Sequence, residues 1–223
     1  MAIVLKSTAS VAVDGVKILC HGQSGAGKTY LIRSLPTPVV ISAESGLLSL
    51  SDCEISFIEV NSIDGVREAY RWATESKEAE QFESIALDSI SEIAEVVLTN
   101  EKAKSKDGRA AYGEMAEIVA QLVRAFRDIR GKNVYMSAKT EKIQDEKGRV
   151  LYGASMPGKT LTNSIAYWFD LVLALRVEHS ESGEKVRAIM CEGDDLWSAK
   201  NRGGKLQAWE APDLGEIIRK VKA

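Results

Sequence analysis

Short apolar runs recur along the chain between small or polar residues, and the segments separating them repeat apolar positions every three or four residues. Residues 16–20, Val16 to Cys20, read as a buried strand, and residues 28–35 as a helix that Pro36 ends. A second strand is predicted over 38–42, and a third, alternating one over 55–60 leads into Ser62 as the N-cap of a helix over 63–75. Val66, Ala69, Tyr70 and Ala73 share one face of that helix. Residues 84–88 form another buried strand, closed by Asp88. The next helix starts near Ser89 and fades in the charged stretch 101–109, which is expected to be a mobile loop. From Tyr112, the positions Met115, Ile118, Val119, Leu122, Val123, Phe126 and Ile129 give one continuous apolar face, ended by Gly131. A strand over 133–138 is followed by a long polar connection, 139–163, read as a functional loop. Strands over 171–177 and 186–191 flank a hairpin turn at 180–184. Pro212 suits the first turn of a last helix carrying Leu214, Ile217, Ile218 and Val221. Such alternation predicts an α/β fold: a mostly parallel central sheet with helices on both faces and an antiparallel C-terminal extension. One domain over 1–223 is expected, with the hairpin and helix of about 171–223 packed on its core.

Composition narrows the picture only slightly. A formal net charge of -3 excludes a wholesale polycation, so any nucleic-acid contact must come from local patches or a surface shared by an oligomer. Cys20, Cys53 and Cys191 lie far apart, without the spacing of a disulfide framework or a zinc site. No apolar run is long enough to span a bilayer and no leader pattern opens the chain, so a cytoplasmic protein with no membrane association is expected.

The chemistry is concentrated where residues 16–20 meet the next helix. Gly22, Gln23, Ser24, Gly25, Ala26, Gly27, Lys28 and Thr29 match the phosphate-binding pattern G-x-x-x-x-G-K-[ST], in a strand-loop-helix setting. The glycines let backbone N–H groups turn onto a phosphate at a helix N-terminus. Lys28 is expected to reach the β- and γ-phosphates of ATP and the Thr29 hydroxyl to bind Mg²⁺, with Tyr30 completing the nucleotide-binding set. Asp88, delivered by an apolar strand, is a candidate metal-orienting acid or else the cap of the following helix. Glu44, just after the second strand, is a candidate base for the attacking water, or an exposed loop glutamate or cap before Leu47 and Leu48. Lys139 and Thr140 end a strand and could sense the γ-phosphate, or simply be solvated. Lys200, Arg202 and Lys205 around Gly203 and Gly204 could touch a phosphate or form an ordinary basic turn. Tyr167, Trp168 and Phe169 are adjacent rather than spread, which suits core anchoring better than base stacking. His21 and His179 lack a partner cluster and are assigned no metal or catalytic role.

With these residues, nearly the whole chain resembles the RecA-like ATPases, and among them the short phage-encoded nucleotide-binding proteins of single-strand annealing and recombination. The resemblance rests on Gly22 to Thr29, on Leu87-Asp88-Ser89, on Glu44 after the second strand, on the strand ending at Lys139, and on Ala199-Lys200-Asn201-Arg202 after a late strand. It implies that Glu44 activates water, that Lys139 serves as a catalytic sensor, and that Lys200 and Arg202 complete a neighbour's ATP site in a ring or filament. It further implies Mg²⁺-dependent, DNA-stimulated ATP hydrolysis, with the segments Lys102 to Arg109 and Lys142 to Lys159 on single-stranded DNA. Lys104, Lys106, Lys142 and Lys147 are the charges expected to matter there. A homo-oligomer and a single-strand-binding protein are the implied protein partners, and a bacterial host cytoplasm the implied setting. Two departures stand out: 223 residues leave no room for the additional domain of full recombinases, and Lys139 stands where many relatives carry Gln or His. Annealing therefore fits better than strand exchange. Of the competing classes, a small-molecule kinase needs an arginine-rich lid, and residues 139–159 hold only Arg149; a non-hydrolysing assembly module would not need Glu44.

Overall fold

The computed structural model describes residues 15–44, 46–105, 107–144, 147–180 and 182–223. Six parallel strands form its centre: β1 (Lys17–His21), β2 (Pro38–Ser42), β3 (Ser56–Glu59), β4 (Ser84–Asp88), β5 (Asn133–Gln144) and β7 (Leu171–His179). β6 (Val150–Ser155) folds back on the far half of β5, while β8 (Lys185–Met190), β9 (Lys200–Asn201) and β10 (Trp209–Glu210) add antiparallel pairings. The order β10-β8-β7-β1-β5-β4-β2-β3 inserts β5 between the strand before the phosphate loop and the strand ending in Asp88. This is the mostly parallel sheet with an antiparallel C-terminal extension that the sequence pattern predicts.

Period-two alternation divides the core. Leu19, Val39, Ile41, Ile85, Leu87, Val134 and Met136 face α1 (Ile63–Glu75), α2 (Ile90–Lys104), α3 (Gly108–Arg127) and α4 (Lys159–Ile165). Ile18, Cys20, Val40, Ala86 and Tyr135 face the opposite way, onto Leu31 and Ile32 and onto α5 (Leu214–Lys222). The first layer holds the larger cluster: Phe126 is fully buried and meets Tyr70 edge to face, with ring centroids 5.2 Å apart. α1 begins as predicted, with Ser62 accepting from the Gly65 N–H.

Several expectations are corrected. The segment after the phosphate loop is not a helix over 28–35 but a 3₁₀ turn, Tyr30–Ser34. Pro36 forces Leu35 to an extended ψ of 145°, leaving no room for a longer helix. Much of the stretch read as a loop is helical: α2 continues to Lys104, the Ser105 N–H closes onto the Glu101 carbonyl, and Asp107 caps α3 through the Arg109 N–H. Its low apolar content reflects a helix end at the surface, where charges need no core partner. Nor is the connection 139–163 structureless, since β5 runs on to Gln144 and pairs with β6 in register from Lys139↔Ser155 to Gln144↔Val150. Lys106, Asp145 and Glu146 lie outside the described residues. Pro212 precedes α5 rather than sitting in its first turn, and Asp213 is the N-cap, accepting from the Glu216 N–H. Of the adjacent aromatics, Phe169 is fully buried, Trp168 stacks under the Arg124 guanidinium at 4.4 Å, and Tyr167 is exposed.

Candidate functional site

Strand register brings the chemistry to one edge. His21 pairs with Ala138 and Ser42 with Asp88, so the phosphate loop, the Ala43-Glu44 turn, Asp88 and the Lys139-Thr140 step all leave the sheet at its carboxyl edge. Ligands of open α/β sheets bind there because strand ends and helix N-termini converge. Within the loop, Gly27 has φ +107°, a conformation L side chains rarely adopt. Gly22 meets a different demand: a Cβ there would stand 2.9 Å from the Leu175 carbonyl oxygen of β7.

Lys28 folds back over the loop, its Nζ donating to the carbonyls of Gly22 at 2.7 Å and Gln23 at 3.2 Å. Burial pushes its pKa below the ordinary lysine value, and the nearby charges of Asp88 and Glu44 act in the opposite sense. From β5 the buried Tyr135 hydroxyl donates to the Lys28 carbonyl at 2.9 Å, tying loop to sheet. The Thr29 hydroxyl donates to Asp88 Oδ2 at 2.6 Å, and Ser137 Oγ donates to Asp88 Oδ1. Both carboxylate oxygens are thus oriented. The open alternative for Asp88 resolves against a cap: Ser89 caps α2 by accepting from the Glu92 N–H. The Ser89 hydroxyl also donates to Glu44 Oε1, holding that carboxylate over the same edge. Glu44 does not cap the turn Leu47–Leu50, whose N-cap is Gly46.

On the far wall, Lys139 Nζ pairs with Glu92 Oε2 at 3.0 Å, and this hydrogen bond raises the lysine pKa. Thr140 meets His21. Since His21 Nε2 lies 2.7 Å from the Ser198 carbonyl, it carries the proton, and Thr140 Oγ1 donates to Nδ1 at 2.9 Å. The imidazole is fully buried and stacks on Trp197, and burial pulls its pKa down to about 4.

A cavity of about 840 Å³ joins these groups, lined by Gly22, Ser24, Gly25, Gly27, Lys28, Thr29, Tyr30, Glu44, Ser49, Asp88, Ser89, Lys139, Thr140, Glu141 and Arg187. Its volume suits a nucleoside triphosphate. Gln23 and Ala26 contribute through their carbonyls rather than the cavity wall, to Lys28 and Arg187 respectively. Among the described residues no three of His, Cys, Asp and Glu gather as a metal cage. Mg²⁺ does not require one: it is held by one or two protein oxygens with phosphates and water, and the Thr29 hydroxyl and Asp88 carboxylate are oxygens of that kind. The residues therefore fit Mg-ATP, with Lys28 and the loop N–H groups for the phosphates and Thr29 and Asp88 for the ion.

Lys200 and Arg202 stand elsewhere. β9 pairs Lys200 with Val172 and Asn201 with Leu171, at the opposite end of β7 from the phosphate loop. Lys200 Nζ donates to the Ala166 carbonyl at 2.6 Å, and Arg202 pairs with Asp170 at 3.3 Å and donates to the Tyr167 carbonyl. Neither lines the cavity within the chain. Three contributors escaped sequence reasoning. Ser137 and Ser89 touch the two carboxylates, and only the register β4–β5 or the cap position could have exposed them. Arg187 comes from an antiparallel strand whose placement beside β7 no motif announces.

A phosphate loop, a strand inserted beside it, an acid at the end of the next strand and a glutamate one strand further out are the parts of a P-loop ATPase. The chain belongs to the AAA domain family, whose sequence pattern matches residues 14–203. No curated protein matches the chain. Among solved structures it is similar to the KaiC-like protein PH0186 from the hyperthermophilic archaeon Pyrococcus horikoshii OT3, at 14% identity over 79% of each chain and a TM-score of 0.47. Among the described residues no helix is long and apolar enough to cross a membrane.

Proposed function

We propose that this ATPase is Mg²⁺-dependent, binds single-stranded DNA and promotes annealing or recombination in a phage or phage-derived system, its turnover stimulated by DNA. Glu44 acts as the base for the attacking water, held by Ser89; Lys28 and Lys139 neutralise phosphate charge; Thr29 and Asp88 orient the ion. In an oligomer, Lys200 and Arg202 reach a neighbour's nucleotide, in keeping with their position away from their own.

The observation that carries the DNA reading is a second cleft, of about 1070 Å³, between the α2–α3 junction and the β6–α4 turn. Arg109, Tyr112 and Lys159 line it, together with Asp107 and Glu117, and Lys102 Nζ lies 5.1 Å from the Tyr112 ring centroid. The two segments singled out for DNA thus border one cleft, each with a cation, and Tyr112, just beyond the first, adds an aromatic face. Such a pairing grips a strand by its phosphates and stacks a base without reading sequence. The cleft is also connected to the nucleotide cavity. Glu141, on the cavity wall, accepts from Ser155 Oγ at 2.7 Å, and the chain passes from Ser155 into Pro157, Gly158 and Lys159 of the cleft.

ATP turnover measured with and without single-stranded oligonucleotide tests both parts. Glu44→Gln should lower turnover about a hundredfold or more while ATP still binds. Wild type should be stimulated by the oligonucleotide, and the combined Arg109→Ala, Tyr112→Ala and Lys159→Ala variant should not. Turnover indifferent to Glu44→Gln would remove the hydrolytic assignment, and turnover indifferent to DNA would remove the DNA-dependent one.

A further inference from the structure

Arg187 is a charged residue of the cavity that neither its motifs nor the proposed hydrolysis uses. It projects from β8, paired opposite Val177 of β7, and its Nε–H donates to the Ala26 carbonyl of the phosphate loop at 2.9 Å. That bond ties the guanidinium to the phosphate loop. Among the described residues the two terminal nitrogens have no hydrogen-bond or ion-pair partner, yet the side chain lines the nucleotide cavity. An arginine anchored through Nε on the cavity wall, with its two terminal nitrogens unpartnered, can serve as a fork for oxyanions.

Its position says which oxyanions. The wall formed by Glu44, Asp88, Lys139 and Thr140 belongs to the γ-phosphate and the ion, because the water-activating and metal-orienting groups are there. Arg187 stands across the loop from that wall. Its Nε lies 3.5 Å from where a Cβ of Gly27 would be, and Tyr30 Cβ lies 3.9 Å from the same point. Backbone N–H groups in this part of a phosphate loop cradle the α- and β-phosphates, whereas the lysine reaches the β- and γ-phosphates.

We infer that Arg187 binds the α- and β-phosphates of the nucleotide from within the same chain. The inference rests on the ATPase reading and adds a binding contact to it. A group that touches α- and β-phosphates meets ATP, ADP and the transition state alike, so its loss appears in affinity and KM rather than in kcat. A γ-phosphate finger would behave in the opposite way, sparing ADP and lowering kcat.

Calorimetric titration of the full chain with Mg-ADP and with a non-hydrolysable ATP analogue, beside steady-state turnover, tests this in wild type, R187M and R187K. Methionine keeps the aliphatic stem, and the thermal midpoint without nucleotide reports whether the fold survives. R187M should weaken ADP and the ATP analogue by the same factor, about ten- to a hundredfold, with kcat nearly unchanged. R187K should recover part of that loss, since an ammonium supplies charge without the fork. ADP affinity in R187M equal to wild type, or a loss confined to kcat, would overturn the inference while leaving the ATPase reading intact. A nucleotide-free midpoint lowered by as much as the nucleotide-bound one would overturn it too, assigning Arg187 to loop support. Wild type that binds no nucleotide at all would sink the ATPase reading and, with it, the role given to Arg187.

Discussion

His21 closes β1 with both ring nitrogens committed, Nε2–H to the Ser198 carbonyl and Nδ1 to the Thr140 hydroxyl, in a site with no exposure to water. Protonation would leave an unhydrated cation in this site, opposed by the Lys28 charge as well and only partly favoured by the Ser198 carbonyl. Burial accordingly lowers its pKa from 6.5 to about 4. As pH falls, the unfolded chain takes up this proton first, so the folded state loses ground. The contribution is fully present above about pH 6.5 and is progressively lost toward about pH 4. Linkage over that interval gives about 2 kcal/mol lost between about pH 7 and about pH 5. Urea denaturation of wild type and His21→Gln at those two pH values isolates it, because the carboxylates titrating in the same range are common to both proteins. Wild type should lose about 2 kcal/mol more than the variant. Equal losses would mean that the histidine is hydrated or already charged in the native state, and the buried relay between β1, β5 and the Ser198 segment would have to be abandoned.

Two further outcomes follow from named contacts. Asp88→Asn keeps the shape that Thr29 and Ser137 address but removes the negative charge offered to the ion, so the gain in ATP affinity on adding Mg²⁺ should shrink; comparison of ATP binding in Mg²⁺ and in EDTA measures it, and an undiminished gain would rule out Asp88 as the metal-orienting acid. Phe126→Ala leaves a cavity under Tyr70 in the larger core layer and should cost about 3–5 kcal/mol in chemical denaturation. A loss under about 1 kcal/mol would show that the α1–α3 layer collapses to fill it.

The sheet was legible in the sequence because its strands are buried on both faces, so that Val39, Val40 and Ile41, or Ile85, Ala86 and Leu87, appear as unbroken apolar runs. The phosphate loop was legible because its chemistry needs fixed residue types at fixed spacing. The β5–β6 hairpin was not. Beyond Ala138, β5 leaves the core: Lys139, Glu141, Lys142 and Gln144 are exposed, so the pairing rests on backbone hydrogen bonds that no side-chain pattern reports. The helix ends at Lys104 and Gly108 were hidden for a related reason, since a terminal helical turn is set by caps such as Asp107 rather than by apolar spacing. Arg187 was hidden by topology. Its proximity to Ala26 exists only because β8 returns antiparallel along β7.

The unpredicted hairpin is also what gives the proposed coupling a mechanical basis. Val134 to Ala138 are wholly buried between β1 and β4, so that half of β5 cannot shift without disturbing the core. Lys139 and Thr140 come next, on the cavity wall, and from there β5 pairs with β6. On the proposed function, a displacement imposed on these two residues by a γ-phosphate would pass outward into the six paired positions of this hairpin. That hairpin ends at Ser155, held to α2 by the Ser91 hydroxyl and to the cavity wall by Glu141, and continues into the Lys159 side of the cleft. Coupling in this form is reciprocal: an occupant that fixes the cleft must bias the cavity wall by the same free energy. Tighter nucleotide binding in the presence of oligonucleotide, lost with Arg109, Tyr112 and Lys159, is the behaviour this linkage requires, whereas a gain surviving their loss would place the DNA elsewhere on the chain.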